Sequence, residues 1–164
     1  MPITRRQLLL ASACSLCAPT ILASPARPKV VIIGGGWGGL SAARQLAKAC
    51  DVLLIERNAE FISLPLSNRW LAGLDDGRRL RQNYQKAADQ LGYRFHQGEV
   101  SGIDMARRQV SSSTGNFLYD WLIVAAGISE SDHELVEGDR AAAAHLRQHF
   151  PSGYAAGKEA LSLK

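Results

Sequence analysis

The clearest pattern of apolar positions near the amino end predicts a strand, a helix and a second strand. The run "VVII" at 30–33 and the segment "DVLLIE" at 51–56 are apolar without alternation, which is typical of parallel strands buried on both faces. Between them, residues 40–49 carry apolar side chains at helical spacing. The order strand, helix, strand predicts a parallel sheet.

Shorter elements are predicted further along the chain. The stretch 59–79, rich in Leu, Ser and Gly, predicts a loop or short helix, and "QNYQKAADQLG" predicts a helix that ends near Gly92. A strand is predicted over Tyr93–Val100, and two further short strand candidates would complete an antiparallel meander near 93–119. The strand Leu122–Val124 then runs into small residues, which suit close approach of the backbone to a ligand.

A glycine-rich turn joins the first strand to the helix. Gly34, Gly36 and Gly39 form the pattern G-x-G-x-x-G, and Glu56 ends the second strand, 22 residues after Gly34. The first glycine allows a tight turn, the second lets a pyrophosphate approach the backbone, and the third lets helix and strand pack closely. The helix start offers N–H groups to phosphates, and the acid can accept hydrogen bonds from a ribose. The pattern predicts a Rossmann-like α/β domain for NAD or FAD, which share it.

Residues 1–26 have the composition of an export signal. A twin arginine at 5–6 precedes an apolar stretch that holds no acid and ends in small residues. The pair resembles the twin-arginine signal, with cleavage after Ala26; a general secretory signal and a lipoprotein site at Cys14 are the alternatives. We therefore expect a domain at 27–164 that is exported folded to the periplasm, with no membrane span once the signal is removed.

The composition of residues 27–164 excludes several other kinds of site. They hold 17 basic and 15 acidic residues, too small an excess to indicate a nucleic-acid partner. Cys50 is their only thiol, so they can form no internal disulfide and can run no mechanism that needs two thiols. No metal site is expected, because the histidines lack metal-ligand spacing with cysteines or carboxylates; they are His96, His133, His145 and His149.

In combination, these motifs resemble the FAD-binding half of the flavoproteins with two dinucleotide-binding domains. More specifically, the chain resembles the flavoprotein subunit of sulfide dehydrogenase (flavocytochrome c) and the related sulfide:quinone reductases. It rests on "VVIIGGGWGGLSAAR", "LLIERN", "PLSN", "SGID", "YDWLIVAAGI" and "HFPSGYAAGKEA". The fold class it implies is an incomplete FAD-binding Rossmann-like domain at 27–164 with a small antiparallel meander, truncated before the second dinucleotide domain.

The resemblance also implies a role for each matching position. The FAD pyrophosphate would be held by Gly34, Gly36, Trp37, Gly38 and Gly39. Glu56 would hold the adenosine ribose with Arg57 beside it, and the backbone of Val100 would face the adenine. The pyrophosphate and ribityl side would be lined by Ala125, Ala126 and Gly127, and the flavin ring would be approached by Leu66, Ser67 and Asn68.

The sequence departs at two points from the proteins that it resembles, and both departures change these expectations. Leu64 stands where flavocytochrome c has a cysteine bonded to the flavin, so we expect non-covalent FAD. The redox cysteines and the glycine-aspartate element of the family are absent, so no catalytic residue is assigned. The leading expectation is a periplasmic oxidoreductase that oxidises sulfide and passes electrons through FAD to a c-type cytochrome. The alternatives are a related FAD/NAD(P)-dependent oxidoreductase, such as sulfide:quinone reductase, and a truncated, non-catalytic nucleotide-binding fragment.

Overall fold

The computed structural model describes residues 26–65, 67–128 and 135–150. The predicted signal sequence up to residue 25 and the predicted flavin contact Leu66 lie outside the described residues. The strands are β1 (Lys29–Ile33), β2 (Asp51–Glu56), β3 (Glu60–Ile62), β4 (Arg81–Asn83), β5 (Arg94–Gln97), β6 (Val100–Asp104), β7 (Gln109–Ser112), β8 (Gly115–Leu118) and β9 (Trp121–Val124). The helices are α1 (Trp37–Leu46), α2 (Ser67–Leu71), α3 (Tyr84–Leu91) and α4 (Arg140–His149), and a 3-10 turn spans Arg78–Leu80.

A parallel sheet of four strands, in the order β5-β2-β1-β9, forms the centre of the described fold. Val31 of β1 lies between Leu53 of β2 and Leu122 of β9, which sets the register of three strands. On the other side of β2, Leu54 pairs with Phe95 of β5. The predicted α/β class and the parallel core are therefore confirmed.

Both faces of the sheet are covered, which explains why β1 and β2 are apolar without alternation. On one face, Val30 and Leu54 belong to a buried cluster with Ala43 of α1 and Ala88 of α3. On the other face, a second cluster joins the sheet to the antiparallel β6-β7-β8 meander; its members are Val31, Ile33, Leu53, Ile55 and Val110. Each fully buried aliphatic side chain of this kind contributes about 1.5–3 kcal/mol.

The helix α1 begins earlier than predicted, at Trp37 inside the glycine motif, and ends at Leu46. Glycine is a weak helix former, but the first helical turn makes few helical hydrogen bonds, so Gly38 and Gly39 are accommodated there. The helix α3 ends as predicted, because Gly92 takes the left-handed conformation, with φ of 77°, that closes a helix.

The single strand predicted over Tyr93–Val100 was wrong. The chain leaves the parallel sheet after Gln97, and Val100 is instead the first residue of β6, where it pairs with Ser112. The pairing with β2 extends as far as Gly98, whose N–H donates to the carbonyl of Glu56 at 2.9 Å, and the chain changes partner between Gly98 and Val100. Val100 is therefore at the start of a meander strand rather than at the end of a sheet strand.

Candidate functional site

The glycine turn between β1 and α1 is closely packed at two of its glycines. Gly34 has φ of 98°, and a side-chain carbon there would lie 2.4 Å from the carbonyl oxygen of Ala125. A side-chain carbon on Gly39 would lie 1.9 Å from the carbonyl oxygen of Gly34. Both distances are impossible for real atoms, so the backbone can follow this path only with glycine at these positions.

The same turn is open at Gly36 and Gly38. A side-chain carbon at either position would meet no atom of the described residues within 4 Å. Gly36 is the N-cap of α1; in the part of the chain that the structure describes, no side chain caps this helix end, and its first turn has no acidic residue. The first helical N–H with an acceptor is that of Leu40, which donates to Gly36 at 2.9 Å. An open cradle lined by free N–H groups at a positive helix end fits a pyrophosphate.

Glu56 lies at the carboxyl end of β2, directly beside this turn. Its Oε2 accepts the backbone N–H of Gly35 at 2.9 Å. Its Oε1 accepts the backbone N–H and the side-chain Nδ2 of Asn58 at 3.0 and 2.9 Å. These three hydrogen bonds hold Glu56 in one orientation. Because a carboxylate offers about four acceptor positions, Glu56 can still accept a hydrogen bond from a ribose hydroxyl. The prediction that this acid ends its strand is confirmed.

The residues after β9 reach the same edge of the sheet. The N–H of Ala125 donates to the carbonyl of Ile33 at 2.8 Å, which continues the pairing of β9 with β1 up to the glycine turn. The next two residues, Ala126 and Gly127, are exposed to solvent, and Gly127 has φ of 75°. The structure thus brings Ala125 against the turn at Gly34, although the two residues are far apart in the chain.

The remaining predicted positions lie at various distances from this turn. Trp37 is exposed on the first turn of α1, and its ring forms a T-shaped pair with that of Phe61 at a centroid distance of 5.2 Å. Arg57 has an exposed side chain, and its carbonyl accepts a hydrogen bond from Gln97 Nε2 at 3.3 Å. Val100 is half-buried beside the second apolar cluster. Their contacts to the adenine or adenosine remain predictions.

The segment predicted to approach the flavin ring is described only in part. Leu64 is half-buried, and its carbonyl accepts the N–H of Ser67 at 2.9 Å. Ser67 and Asn68 open the short helix α2, and Asn68 Oδ1 accepts the N–H of Arg69 at 3.0 Å. No flavin-facing role follows from these local contacts, and the role predicted for this segment stays a prediction.

A buried tyrosine beneath the glycine turn was missed by the sequence analysis. The Tyr84 hydroxyl donates to the carbonyl oxygen of Gly35 at 2.7 Å. Burial raises the pKa of Tyr84 above its usual range, and the charges of Glu56 and then Tyr93 raise it further, so the hydroxyl keeps its proton and stays a donor. No spacing rule links these residues; the only available signal was an aromatic side chain at the start of a predicted helix.

Other kinds of site were sought across the same stretches of chain. Within residues 26–65, 67–128 and 135–150, no group of three or more His, Cys, Asp or Glu side chains could hold a metal ion. No helix in these ranges is both long enough and apolar enough to cross a membrane. Cys50 is a half-buried free thiol.

Comparison with known proteins places this arrangement in a family. The family model of the pyridine nucleotide-disulphide oxidoreductases matches residues 28–160. A type II NADH:quinone oxidoreductase of Mycobacterium tuberculosis is 36% identical over 113 residues, which cover 65% of this chain and 24% of that protein. A type II NADH:quinone oxidoreductase of Staphylococcus haemolyticus is 26% identical over 150 residues, covering 81% and 37%. The chain thus spans about a quarter to just over a third of the length of these relatives.

Solved structures show the same fold at lower sequence identity. The sulfide:quinone oxidoreductase of Aquifex aeolicus superposes with a TM-score of 0.58 at 23% identity, over 63% of this chain and 25% of that one. The NDH2 of Plasmodium falciparum superposes with a TM-score of 0.67 at 18% identity, over 84% and 28%.

These comparisons support the family-level resemblance, and they do not extend to sulfide dehydrogenase in particular. Membership in the family, together with the open glycine cradle, supports a flavin cofactor. The match to the family model over residues 28–160 covers most of the sequence, and the chain belongs to the pyridine nucleotide-disulphide oxidoreductase family.

Proposed function

We propose that this chain is the FAD-binding part of a flavin-dependent oxidoreductase that passes electrons to a quinone. The observation that carries the FAD assignment is the meeting of the open Gly36 cradle, the Glu56 carboxylate and Ala125 at one edge of the sheet. The quinone assignment is supported by the NADH:quinone oxidoreductases among its relatives. This is the related FAD/NAD(P)-dependent oxidoreductase of the sequence analysis, rather than its leading expectation.

The residues around the turn would divide the binding of FAD between them. The N–H groups at the start of α1 would bind the pyrophosphate, because a helix N-terminus carries a partial positive charge. Glu56, oriented by Gly35 and Asn58, would accept a hydrogen bond from a ribose hydroxyl. Ala125 would shape the wall beside the pyrophosphate without a bulky side chain. When bound, FAD supplies hydride and electron-pair chemistry that these side chains do not supply themselves.

Oxidation of sulfide with a c-type cytochrome as acceptor is the second candidate. The motifs quoted in the sequence analysis, such as "YDWLIVAAGI", favour it. A single thiol, Cys50, follows the predicted signal sequence, so residues 27–164 hold no thiol pair to take up sulfide sulfur. The FAD-loaded chain should be assayed for NADH-dependent quinone reduction and for sulfide-dependent cytochrome reduction. Quinone reduction by NADH would support the quinone proposal, and cytochrome reduction by sulfide would support the sulfide candidate. The absence of both activities would favour the third alternative, a non-catalytic nucleotide-binding fragment.

The FAD-binding part of the proposal is tested by Gly36→Ala. Because no atom in the described ranges lies within 4 Å of a side-chain carbon there, and Gly36 has an extended backbone, this variant should fold like the wild type. The added methyl group would occupy the cradle and should weaken FAD binding by about 10-fold or more, a loss of about 1.4 kcal/mol. Binding is measured by titration of the purified chain with FAD.

Gly102→Ala is the matched control. Gly102 lies in β6, and a side-chain carbon there also meets no described atom within 4 Å, so the same methyl group is added in open space on a strand of the meander. The control should bind FAD as the wild type does. Equal FAD affinity in Gly36→Ala, Gly102→Ala and the wild type would show that the cradle does not hold the pyrophosphate.

A further inference from the structure

Gly35 is held through both of its backbone polar groups. Its N–H donates to Glu56 Oε2 at 2.9 Å, and its carbonyl oxygen accepts the Tyr84 hydroxyl at 2.7 Å. One bond comes from the end of β2 and the other from the start of α3. The middle of the glycine turn is therefore fixed by the protein before any ligand is present.

Tyr84 is itself held in place by its surroundings. Its ring stacks on Phe95 of β5 with a centroid distance of 5.1 Å and an interplanar angle of 18°. It also forms a T-shaped pair with Phe61 at a centroid distance of 6.4 Å. Its backbone N–H donates to the carbonyl of Ala59 at 3.2 Å. Only 4% of the residue is exposed, so the hydroxyl meets Gly35 from a rigid position in the core.

The tyrosine ring also explains why position 35 is a glycine. A side-chain carbon on Gly35 would lie 2.6 Å from ring atoms of Tyr84. Gly35 does not have a positive φ, so its backbone conformation alone does not require glycine. The absence of a side chain at Gly35 lets the turn lie directly on the tyrosine.

We propose that Tyr84 is a positioning residue for the nucleotide site. By fixing the carbonyl of Gly35, it would set the peptide plane that leads into Gly36 and so aim the N–H groups at the start of α1 towards the pyrophosphate. The inference rests on the proposed FAD site and adds a residue from outside the glycine motif to it. Without this bond, the turn would have to be ordered during binding, which lowers the apparent affinity.

The test compares Tyr84→Phe with Tyr93→Phe in the full chain. Tyr93 is also a buried tyrosine, but its hydroxyl has no hydrogen-bond partner in the described part of the chain, so its loss should leave the turn unchanged. Tyr84→Phe should weaken FAD binding about 3- to 10-fold, as loss of one hydrogen bond would, while Tyr93→Phe should not. In the ligand-free chain, the Gly35 amide should exchange its hydrogen faster in Tyr84→Phe only.

The variant Val110→Ala distinguishes a loss of the positioning of Gly35 from a general loss of fold stability. Val110 is fully buried in the second apolar cluster, whereas Tyr84 belongs to the first, so truncating Val110 destabilises the fold without removing a contact of the Tyr84 hydroxyl. If Val110→Ala loses as much FAD affinity as Tyr84→Phe at a similar loss of melting temperature, the positioning role is overturned. Unchanged Gly35 exchange in Tyr84→Phe overturns it as well. A wild-type chain that binds no FAD refutes the proposed function instead, and the exchange measurement still decides whether Tyr84 fixes the turn.

Discussion

The carbonyl oxygen of Ala125 lies 2.4 Å from the point where a side chain on Gly34 would begin. This contact forms because the N–H of Ala125 continues the pairing of β9 with β1 and donates to Ile33. Gly34 also has a positive φ of 98°, a conformation that residues with a side chain rarely adopt. The site is therefore closed on this side by a backbone contact that only glycine permits.

Gly34→Ala should strongly destabilise the fold. The added carbon would clash with Ala125 and also impose an unfavourable φ, so we expect a loss of about 2 kcal/mol or more in the free energy of unfolding. The measurement is urea unfolding of the purified chain, with Gly102→Ala as the control for the methyl group alone. An unfolding midpoint like that of the wild type would show that the two backbones are not in contact.

Stability should fall in strongly alkaline solution because of two buried tyrosines. The pKa of Tyr84 is raised by burial, then by Glu56 and Tyr93, and the pKa of Tyr93 is raised by burial. Above the usual tyrosine pKa of about 10, the unfolded chain loses these protons while the folded chain keeps them, so unfolding is favoured. The stability that the two protonated tyrosines contribute should be fully present below about pH 10, and should be lost as the pH rises through their higher pKa values in the folded chain.

The loss of stability at alkaline pH is measured by urea unfolding at a series of pH values. Tyr84→Phe should make the free energy of unfolding less dependent on pH above about 10, since it removes one of the shifted groups. Tyr93→Phe should have the same kind of effect through burial alone. An unchanged slope in both variants would show that neither tyrosine is protected in the folded chain.

Export should depend on the arginine pair near the amino terminus. Changing Arg5 and Arg6 together to lysine should block transport to the periplasm while leaving synthesis intact, because the twin-arginine route requires both arginines. The periplasmic and cytoplasmic amounts of wild type and double variant are compared after fractionation. Periplasmic yield equal to that of the wild type would indicate the general secretory route.

Bound flavin should be released by acid. Leu64 has no thiol, so the segment predicted to lie near the flavin ring cannot form a thioether to it. After precipitation of the FAD-loaded chain with acid, all yellow colour should remain in the supernatant. Colour in the washed pellet would mean that the flavin is attached covalently through another residue.

Much of the candidate site could be predicted from the sequence because its requirements are local. Gly39 has to be glycine because the Gly34 carbonyl lies only five positions back in the chain, Gly34 is favoured by its own positive φ, and Glu56 follows directly from the end of a buried strand. Tyr84 could not be found in this way. Its hydrogen bond to Gly35 spans 49 residues and depends on how α3 packs under the turn, which no periodicity records.

The fold shows the same limit in the segment around Gly98. The residues before and after it both favour strands, so the sequence pattern predicts one strand over Tyr93–Val100. The structure divides the segment because β5 pairs with β2, whereas β6 pairs with β7 in another sheet. The change of partner is a tertiary event: Gly98 still bonds to Glu56 of β2, whereas Val100 pairs with Ser112 of β7.

The central claim is that the glycine turn and Glu56 bind the ADP half of FAD. Calorimetric titration of the purified chain with FAD, ADP and riboflavin tests it most directly, because ADP carries the pyrophosphate and ribose without the flavin ring and riboflavin carries the ring without them. We expect FAD and ADP to bind, riboflavin to bind far more weakly, and Glu56→Ala to weaken both FAD and ADP by losing the ribose contact and the bond to Gly35. Riboflavin binding as tight as that of FAD, or no binding of ADP, would contradict the assignment of this site.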